Sequence, residues 1–102
     1  MDIITTTADD TPLLTLSGRF DAFETERFRT IIDGLLDQSN STISVDLHGV
    51  HFTDSSALAE LVRAMKRCRE RDGELILCSL SDSVRVILEL TRLNAAFEIR
   101  GD

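Results

Sequence analysis

Apolar and polar residues along the chain follow two periods, one typical of strands and one typical of helices. DIITTT is rich in β-branched residues and LLTLSGRF alternates, so the two predict N-terminal strands, joined by a turn at ADDTP. TISVDL is β-branched and apolar enough to predict a buried strand, and ELILCSL predicts the next one. AAFEIR predicts a last strand or a sheet edge.

Helical periodicity appears between these strands in three segments. One helix is predicted from Asp21, where Asp21 and Glu24 fit an acidic capping box. A second follows TDSS and ends at Asp72-Gly73 in the manner of a glycine stop, and Ser81 caps a third. The apolar faces of the three helices are Phe28, Ile31, Ile32, Leu35 and Leu36; Leu58, Leu61, Val62, Met65 and Cys68; and Val84, Ile87 and Leu88.

The order of these elements, ββαβαβαβ, predicts the fold class. Alternating strands and helices imply parallel strands with crossover helices, and the N-terminal pair adds a hairpin. We therefore predict an α/β fold in one domain over residues 1–102, with a mixed, mostly parallel sheet of about five strands and three to four helices. Binding sites of such sheets lie at the carboxyl ends of strands, here the predicted loops SGRFD and HGVHFTDSS.

The net charge of the chain indicates which class of macromolecule it binds. The chain has 102 residues, is 42% hydrophobic and carries a formal net charge of −7. Such an acidic chain is not expected to bind nucleic acid or an anionic membrane electrostatically, and is instead steered toward a basic patch on another protein. No stretch resembles a signal peptide or a membrane span, so we expect a cytoplasmic protein.

The two cysteines do not suggest a metal or redox motif. The spacing of Cys68 and Cys78 fits neither CxxC nor a zinc pattern. Both continue apolar stretches, and we expect them to be small core residues, with a redox pair as the alternative.

The side chains that could act in catalysis or bind a metal are concentrated in HGVHFTDSS. His48, His51, Asp54, Ser55 and Ser56 include the side chains of a hydrolase triad or a metal site. However, G-x-S-x-G does not occur, the glycines are scattered, and an irregular loop does not fix ligand geometry. We therefore predict no catalytic residue, no metal site and no cofactor.

The serine pair has two interpretations. Asp and Ser before an apolar periodic run usually form an N-cap. The same position also suits a phosphate, because free backbone N–H groups and the helix dipole stabilise an anion there by about 0.3–1 kcal/mol. Phosphorylation would add about −1.5 to −2 charges beside Asp54 and change what the domain binds without unfolding it.

The stretches VDLHGVHFTDSSALAELVRAMKR, GELILCSLSDSVRVILELTRL and FEI, with LSGRFDAFE upstream, resemble the STAS domain of bacterial anti-sigma factor antagonists, the SpoIIAA-like family. The resemblance runs from Leu14 to Ile99. It implies a protein that binds an anti-sigma factor, itself a serine kinase of the GHKL ATPase type, and so frees a sigma factor for RNA polymerase. Phosphorylation by the kinase ends the association, and a PP2C-like phosphatase reverses it.

The resemblance also implies site residues. The phosphorylated serine matches Ser56, and Ser55 is the second choice if the helix starts later. Where the family has glycine this chain has Ala57, whose methyl group we expect where the kinase must approach. Partner contacts are expected from the aspartate loop, the serine motif and the exposed start of the second helix, namely Asp21, Thr53, Asp54, Ser55, Ser56, Ala57 and Leu58.

Two other functions remain open from the sequence. One is a STAS scaffold subunit of a stressosome or a lipid-transport assembly without a kinase cycle, self-associating through an edge strand. The other is a small hydrolase or phosphocarrier that uses Ser56 as nucleophile and needs a base within reach. The sequence also leaves open whether the domain forms a homodimer.

Overall fold

A five-stranded sheet with its strands in chain order forms the centre of the protein, in a computed structural model that describes residues 1–101. The first two strands are antiparallel and the other neighbours are parallel, so the predicted mixed, mostly parallel α/β sheet is confirmed. The elements are β1 (Asp2–Ala8), β2 (Thr11–Phe20), α1 (Thr25–Asp37), β3 (Ile43–Thr53), α2 (Ser55–Arg69), β4 (Leu75–Cys78), α3 (Asp82–Leu90), a 3₁₀ turn (Leu93–Ala95) and β5 (Glu98–Arg100).

The hydrophobic core lies against one face of the sheet. Leu14, Val45 and Leu77 are in register on adjacent strands, and all three are fully buried. The alternate positions Thr15 and Asp46 are only partly buried. Apolar side chains of all three helices join the same core cluster, as their predicted periodicity requires. From the helices these are Phe28, Ile32, Leu36, Ala57, Leu58, Leu61, Ala64, Met65, Cys68, Val84 and Leu88.

The third strand is longer than the sequence indicates. HGVHFT, predicted as a connecting loop, belongs to β3, which pairs with β2 as far as Phe20 and Thr53. Register shifts in the pairing accommodate the extension, and Gly49 lies so close to β2 that an added Cβ would be 2.8 Å from Ser17 Cβ. Pairing with a neighbouring strand therefore continues β3 through a stretch whose own pattern is irregular.

The predicted start of α1 is wrong. The helix begins at Thr25, and Asp21 forms a turn before it: Asp21 Oδ1 accepts from Phe23 N at 3.1 Å, and the backbone oxygen of Asp21 accepts from Glu24 N at 3.0 Å. An Asp side chain often bonds the amide two residues on, and this local turn replaces the capping box. The Ser81 cap, in contrast, is confirmed, since Ser81 Oγ accepts from Val84 N at 3.2 Å.

The glycine after α2 is required by packing. The left-handed residue there is Asp72, with φ 62°, while Gly73 N donates to Cys68 O at 2.9 Å. A Cβ on Gly73 would lie 1.8 Å from Ser41 O. The helix ends at Arg69, three residues before the predicted stop at Asp72-Gly73, and glycine is needed at position 73 because two backbone segments meet there.

Both cysteines are free thiols. Cys68 is fully buried in the core, as predicted, whereas Cys78 is only partly buried. Burial, with a smaller contribution from Glu74, raises the pKa of the Cys68 thiol to about 11. Burial also raises the pKa of Cys78. Because the thiolate is the reactive form, both cysteines are weak nucleophiles at neutral pH.

We expect Gly73→Ala to lower the free energy of unfolding by about 1–3 kcal/mol, since the new methyl group overlaps Ser41 O and forces the backbone to move. Urea denaturation at pH 7 measures this. Gly34→Ala is the matched control: Gly34 is an exposed residue of α1, and within residues 1–101 a Cβ there meets nothing closer than 4 Å. Helix propensity should make it neutral or stabilising by up to about 1 kcal/mol. Equal effects of the two substitutions would contradict this explanation.

Candidate functional site

The site is built around the first turn of α2, directly after the end of β3. Asp54 occupies the N-cap position with extended backbone, and its Oδ1 accepts from Ala57 N at 3.0 Å. The helix starts at Ser55, and the side chains of Ser55 and Ser56 are exposed. The predicted helix start is confirmed, and Asp54 is the capping residue.

Asp54 also joins the two loops that the sequence singled out. Its second oxygen, Oδ2, accepts from Ala22 N at 3.0 Å, in the turn before α1. Asp21 shapes that same turn through its bond to Phe23 N, and its carboxylate lies 3.7 Å from Arg19 Nε. The predicted site residues Asp21 and Asp54 therefore belong to one surface, held by a single carboxylate that bridges two segments.

Phe23 is the site residue that sequence reasoning missed. Its side chain is 94% exposed, more than any other large hydrophobic residue described. It lines a shallow apolar depression together with Arg27 and Ile31 on α1. The signal was present, because an aromatic residue in an acidic turn next to a predicted helix start is a candidate contact residue.

Two of the predicted contact residues point into the protein. Leu58 was expected at an exposed helix start but is only 5% exposed, and Ala57 is fully buried. Both occupy the apolar face of α2, which packs on the core cluster. The methyl group of Ala57 is thus absent from the surface where we expected it to meet a kinase. Thr53 is partly buried, and its Oγ1 has no hydrogen-bond partner among residues 1–101.

An ion-pair cluster lies one helical turn beyond Ser56, between α1 and α2. Glu60 is buried, and its carboxylate accepts from Arg29 Nε at 3.0 Å and from Arg29 Nη2 at 2.5 Å. Asp33 accepts from Arg63 at 2.9 Å and from Arg67 at 3.0 Å. The hydrogen bond and charge of Glu60 raise the pKa of Arg29. These pairs join the two helices beside the site.

The alternative chemistries gain no support from the geometry. His48 and His51 are exposed on β3, and no hydrogen bond within residues 1–101 links either side chain to Ser55 or Ser56. The described part of the chain contains no group of three or more His, Cys, Asp or Glu side chains arranged to hold a metal ion. Over the same residues, no helix has the length and apolar character needed to cross a membrane.

The sequence is similar to a known protein family and to characterised relatives. The chain matches the STAS domain family over residues 2–102 and therefore belongs to that family. A relative, the anti-sigma-B factor antagonist of Listeria monocytogenes, is 29% identical over 86 residues, which cover 84% of this chain and 75% of the relative.

Two solved structures have the same fold. An anti-sigma-factor antagonist (STAS) domain protein from Planctomyces limnophilus superposes with a TM-score of 0.86 at 24% identity, covering 100% of this chain and 92% of the other. The Bacillus cell fate determinant SpoIIAA, in its phosphorylated form, superposes with a TM-score of 0.78 at 20% identity, covering 99% and 91%.

We expect Asp54→Ala to lower the free energy of unfolding by about 1–2 kcal/mol, because it removes the N-cap and frees the turn before α1. Amide hydrogen exchange should show faster exchange at both Ala22 and Ala57. Ser55→Ala is the control, since Ser55 is exposed and adjacent, and it should leave both amides unchanged. Retained protection of Ala22 in Asp54→Ala would show that the carboxylate does not hold the turn.

Proposed function

We propose that this STAS-domain protein is an anti-sigma factor antagonist that acts by binding and without catalysis of its own. Its partner would be an anti-sigma factor that is also a serine kinase of the GHKL ATPase type. Binding releases the sigma factor that the kinase holds, and phosphorylation of Ser56 ends the association. A PP2C-like phosphatase restores the binding form. We propose that all these steps take place in the cytoplasm, where the sigma factor acts.

The observation that carries the proposal is an exposed serine and an exposed aromatic residue in two segments that Asp54 joins at one end of the sheet. Ser56 is open to solvent in the first turn of α2, and Phe23 is 94% exposed in the turn that Asp54 holds. Aromatic side chains are favoured anchors of protein interfaces, because they bury much apolar area for little loss of conformational freedom. A partner that spans the two segments joined by Asp54 would cover both Phe23 and Ser56.

Phosphate on Ser56 would change this surface and leave the fold intact. The first turn of α2 offers free backbone N–H groups and the positive end of the helix dipole, so an added anion is tolerated. The added charge of about −1.5 to −2 lies close to the carboxylate of Asp54, which caps the same helical turn. A partner fitted to the neutral hydroxyl then meets an anion that it must desolvate. SpoIIAA, which has the same fold, has been solved in a phosphorylated form, and this supports the proposal.

The proposed contact surface has an outer and an inner part. Asp21, Thr53, Asp54, Ser55 and Ser56 lie along the strand ends and the helix start, where a partner would touch them or the backbone they hold. Ala57 and Leu58 support that surface from the core side.

We expect incubation with the cognate GHKL-type anti-sigma kinase and ATP to add one phosphate to the wild-type protein. Ser56→Ala should abolish the addition and Ser55→Ala should retain it, because we assign the modification to Ser56. Intact mass spectrometry measures the transfer. Loss in Ser55→Ala with retention in Ser56→Ala would move the site by one residue. No transfer with any cognate kinase, together with stable homo-oligomers, would favour the scaffold function.

We expect Phe23→Ala to weaken binding to the anti-sigma kinase by at least tenfold, which corresponds to about 1.4 kcal/mol or more. ADP replaces ATP in this experiment, so that the kinase binds without transferring phosphate. Calorimetric titration measures the dissociation constant. Leu90→Ala is the matched control, since Leu90 is 78% exposed but lies at the end of α3. Equal affinities of wild type and Phe23→Ala would remove Phe23 from the interface.

A further inference from the structure

The ion-pair cluster between α1 and α2 binds an arginine to Glu60, the residue one helical turn after Ser56. Glu60 is the buried charged residue of α2, and Arg29 reaches it across the helix interface with two nitrogens, at 3.0 Å and 2.5 Å. Arg63 approaches the same carboxylate at 3.5 Å. Arg29 remains 51% exposed, so its guanidinium group keeps donors free on the solvent side.

Helix geometry brings this arginine toward Ser56. Residues four apart on a helix are neighbours, about 5–6 Å between Cβ atoms, so Ser56 and Glu60 share one face of α2. Helical side chains lean toward the N-terminus, which directs the Glu60 carboxylate, and the Arg29 head bound to it, toward Ser56. The contacts of Glu60 with Arg29 and of Arg63 with Asp33 show that this face of α2 is the one turned to α1.

Ser55 has no such neighbour on its own face. The residue four positions after it is Ala59, which is exposed and uncharged. The arrangement therefore distinguishes two adjacent serines that the sequence alone leaves nearly equivalent.

We propose that Arg29 binds the phosphate carried by Ser56 and shares its guanidinium group between that phosphate and Glu60. This inference rests on the proposed phosphorylation of Ser56. The planar guanidinium offers parallel N–H donors that fit phosphate oxygens, and the phosphate carries more charge than the carboxylate with which it competes. Arg29 is thus a positioning residue, which holds the modifying group on the surface that the partner must cover.

Several charges would act on the phosphate besides Arg29. Asp54 precedes it, Glu60 follows one turn on, and Glu26 lies near Arg29 on α1; each of these carboxylates raises the second pKa of the phosphate. Arg63 and Arg29 lower it. Of the two arginines that contact Glu60, Arg29 is the more exposed, at 51% against 30% for Arg63, so its removal should shift the phosphate pKa upward.

The test places phosphoserine at position 56 by genetic code expansion and follows its ³¹P resonance as a function of pH. In Arg29→Gln the second pKa of the phosphate should rise by about 0.5 unit or more, because a cation within hydrogen-bonding reach is lost. Arg29→Lys should keep part of the shift. Arg27→Gln is the matched control: Arg27 lies on the same helix and is 49% exposed, against 51% for Arg29. It should leave the pKa unchanged.

A second series controls for a general charge effect and for folding. With phosphoserine at position 55, Arg29→Gln should not move the resonance or its pKa. If Arg29→Gln alone unfolds, because Glu60 is left buried without its partner, the comparison is made between Glu60→Gln and the double variant Arg29→Gln/Glu60→Gln. The same upward shift is expected there.

An unchanged pKa at phosphoserine 56 without Arg29, or equal shifts at positions 55 and 56, would overturn the inference. Because phosphoserine is installed without a kinase, a failed kinase assay would refute the proposed function and leave this measurement standing. Conversely, if the kinase phosphorylates the protein but Arg29 has no effect on the phosphate pKa, the proposed function stands and only the role of Arg29 is refuted.

Discussion

The geometry of the site depends on one carboxylate, because the two oxygens of Asp54 serve two different segments. Oδ1 accepts from Ala57 N and starts α2, whereas Oδ2 accepts from Ala22 N and holds the turn before α1. The two segments meet because β2 and β3 are parallel neighbours that end together, paired as far as Phe20 and Thr53. Parallel pairing brings the strand ends to one edge of the sheet. The hydrogen bonds of Asp54 then hold the two following segments together as a single surface.

Burial of α2 then decides which residues this surface presents. Ala57 is fully buried and Leu58 is 5% exposed, so both side chains point into the core. Each residue turns the helix by about 100°, and the two serines just before them face solvent. Position 57, where the resemblance led us to expect glycine, is an inward position in this chain. A methyl group there adds to the core and is hidden from any partner.

Hydrophobic periodicity was enough to predict every helix and strand in order, because each buries one face against a common core. The element ends were harder, since contacts with distant segments decide them. Pairing with β2 extends β3 through Thr53, and the turn in which the Asp21 side chain accepts from Phe23 N delays the start of α1. The cluster at Glu60 escaped prediction for the same reason. A glutamate within a charged helix is usually solvated, and its partner, Arg29, lies on a different helix.

Local charge along the contact between α1 and α2 differs from the net charge of the chain. Acidic residues outnumber basic ones by 18 to 11, yet Arg29, Arg63 and Arg67 line the contact between α1 and α2. Charges farther than about 8–10 Å across solvent are largely screened at physiological salt, whereas those within a few ångströms of a partly buried pair are not. The acidic surplus therefore acts on the approach of a partner from a distance. In the proposed cycle Arg29, bound to Glu60 one helical turn from Ser56, is the arginine that would act on an added phosphate, whereas Arg63 and Arg67 pair with Asp33 farther along α2.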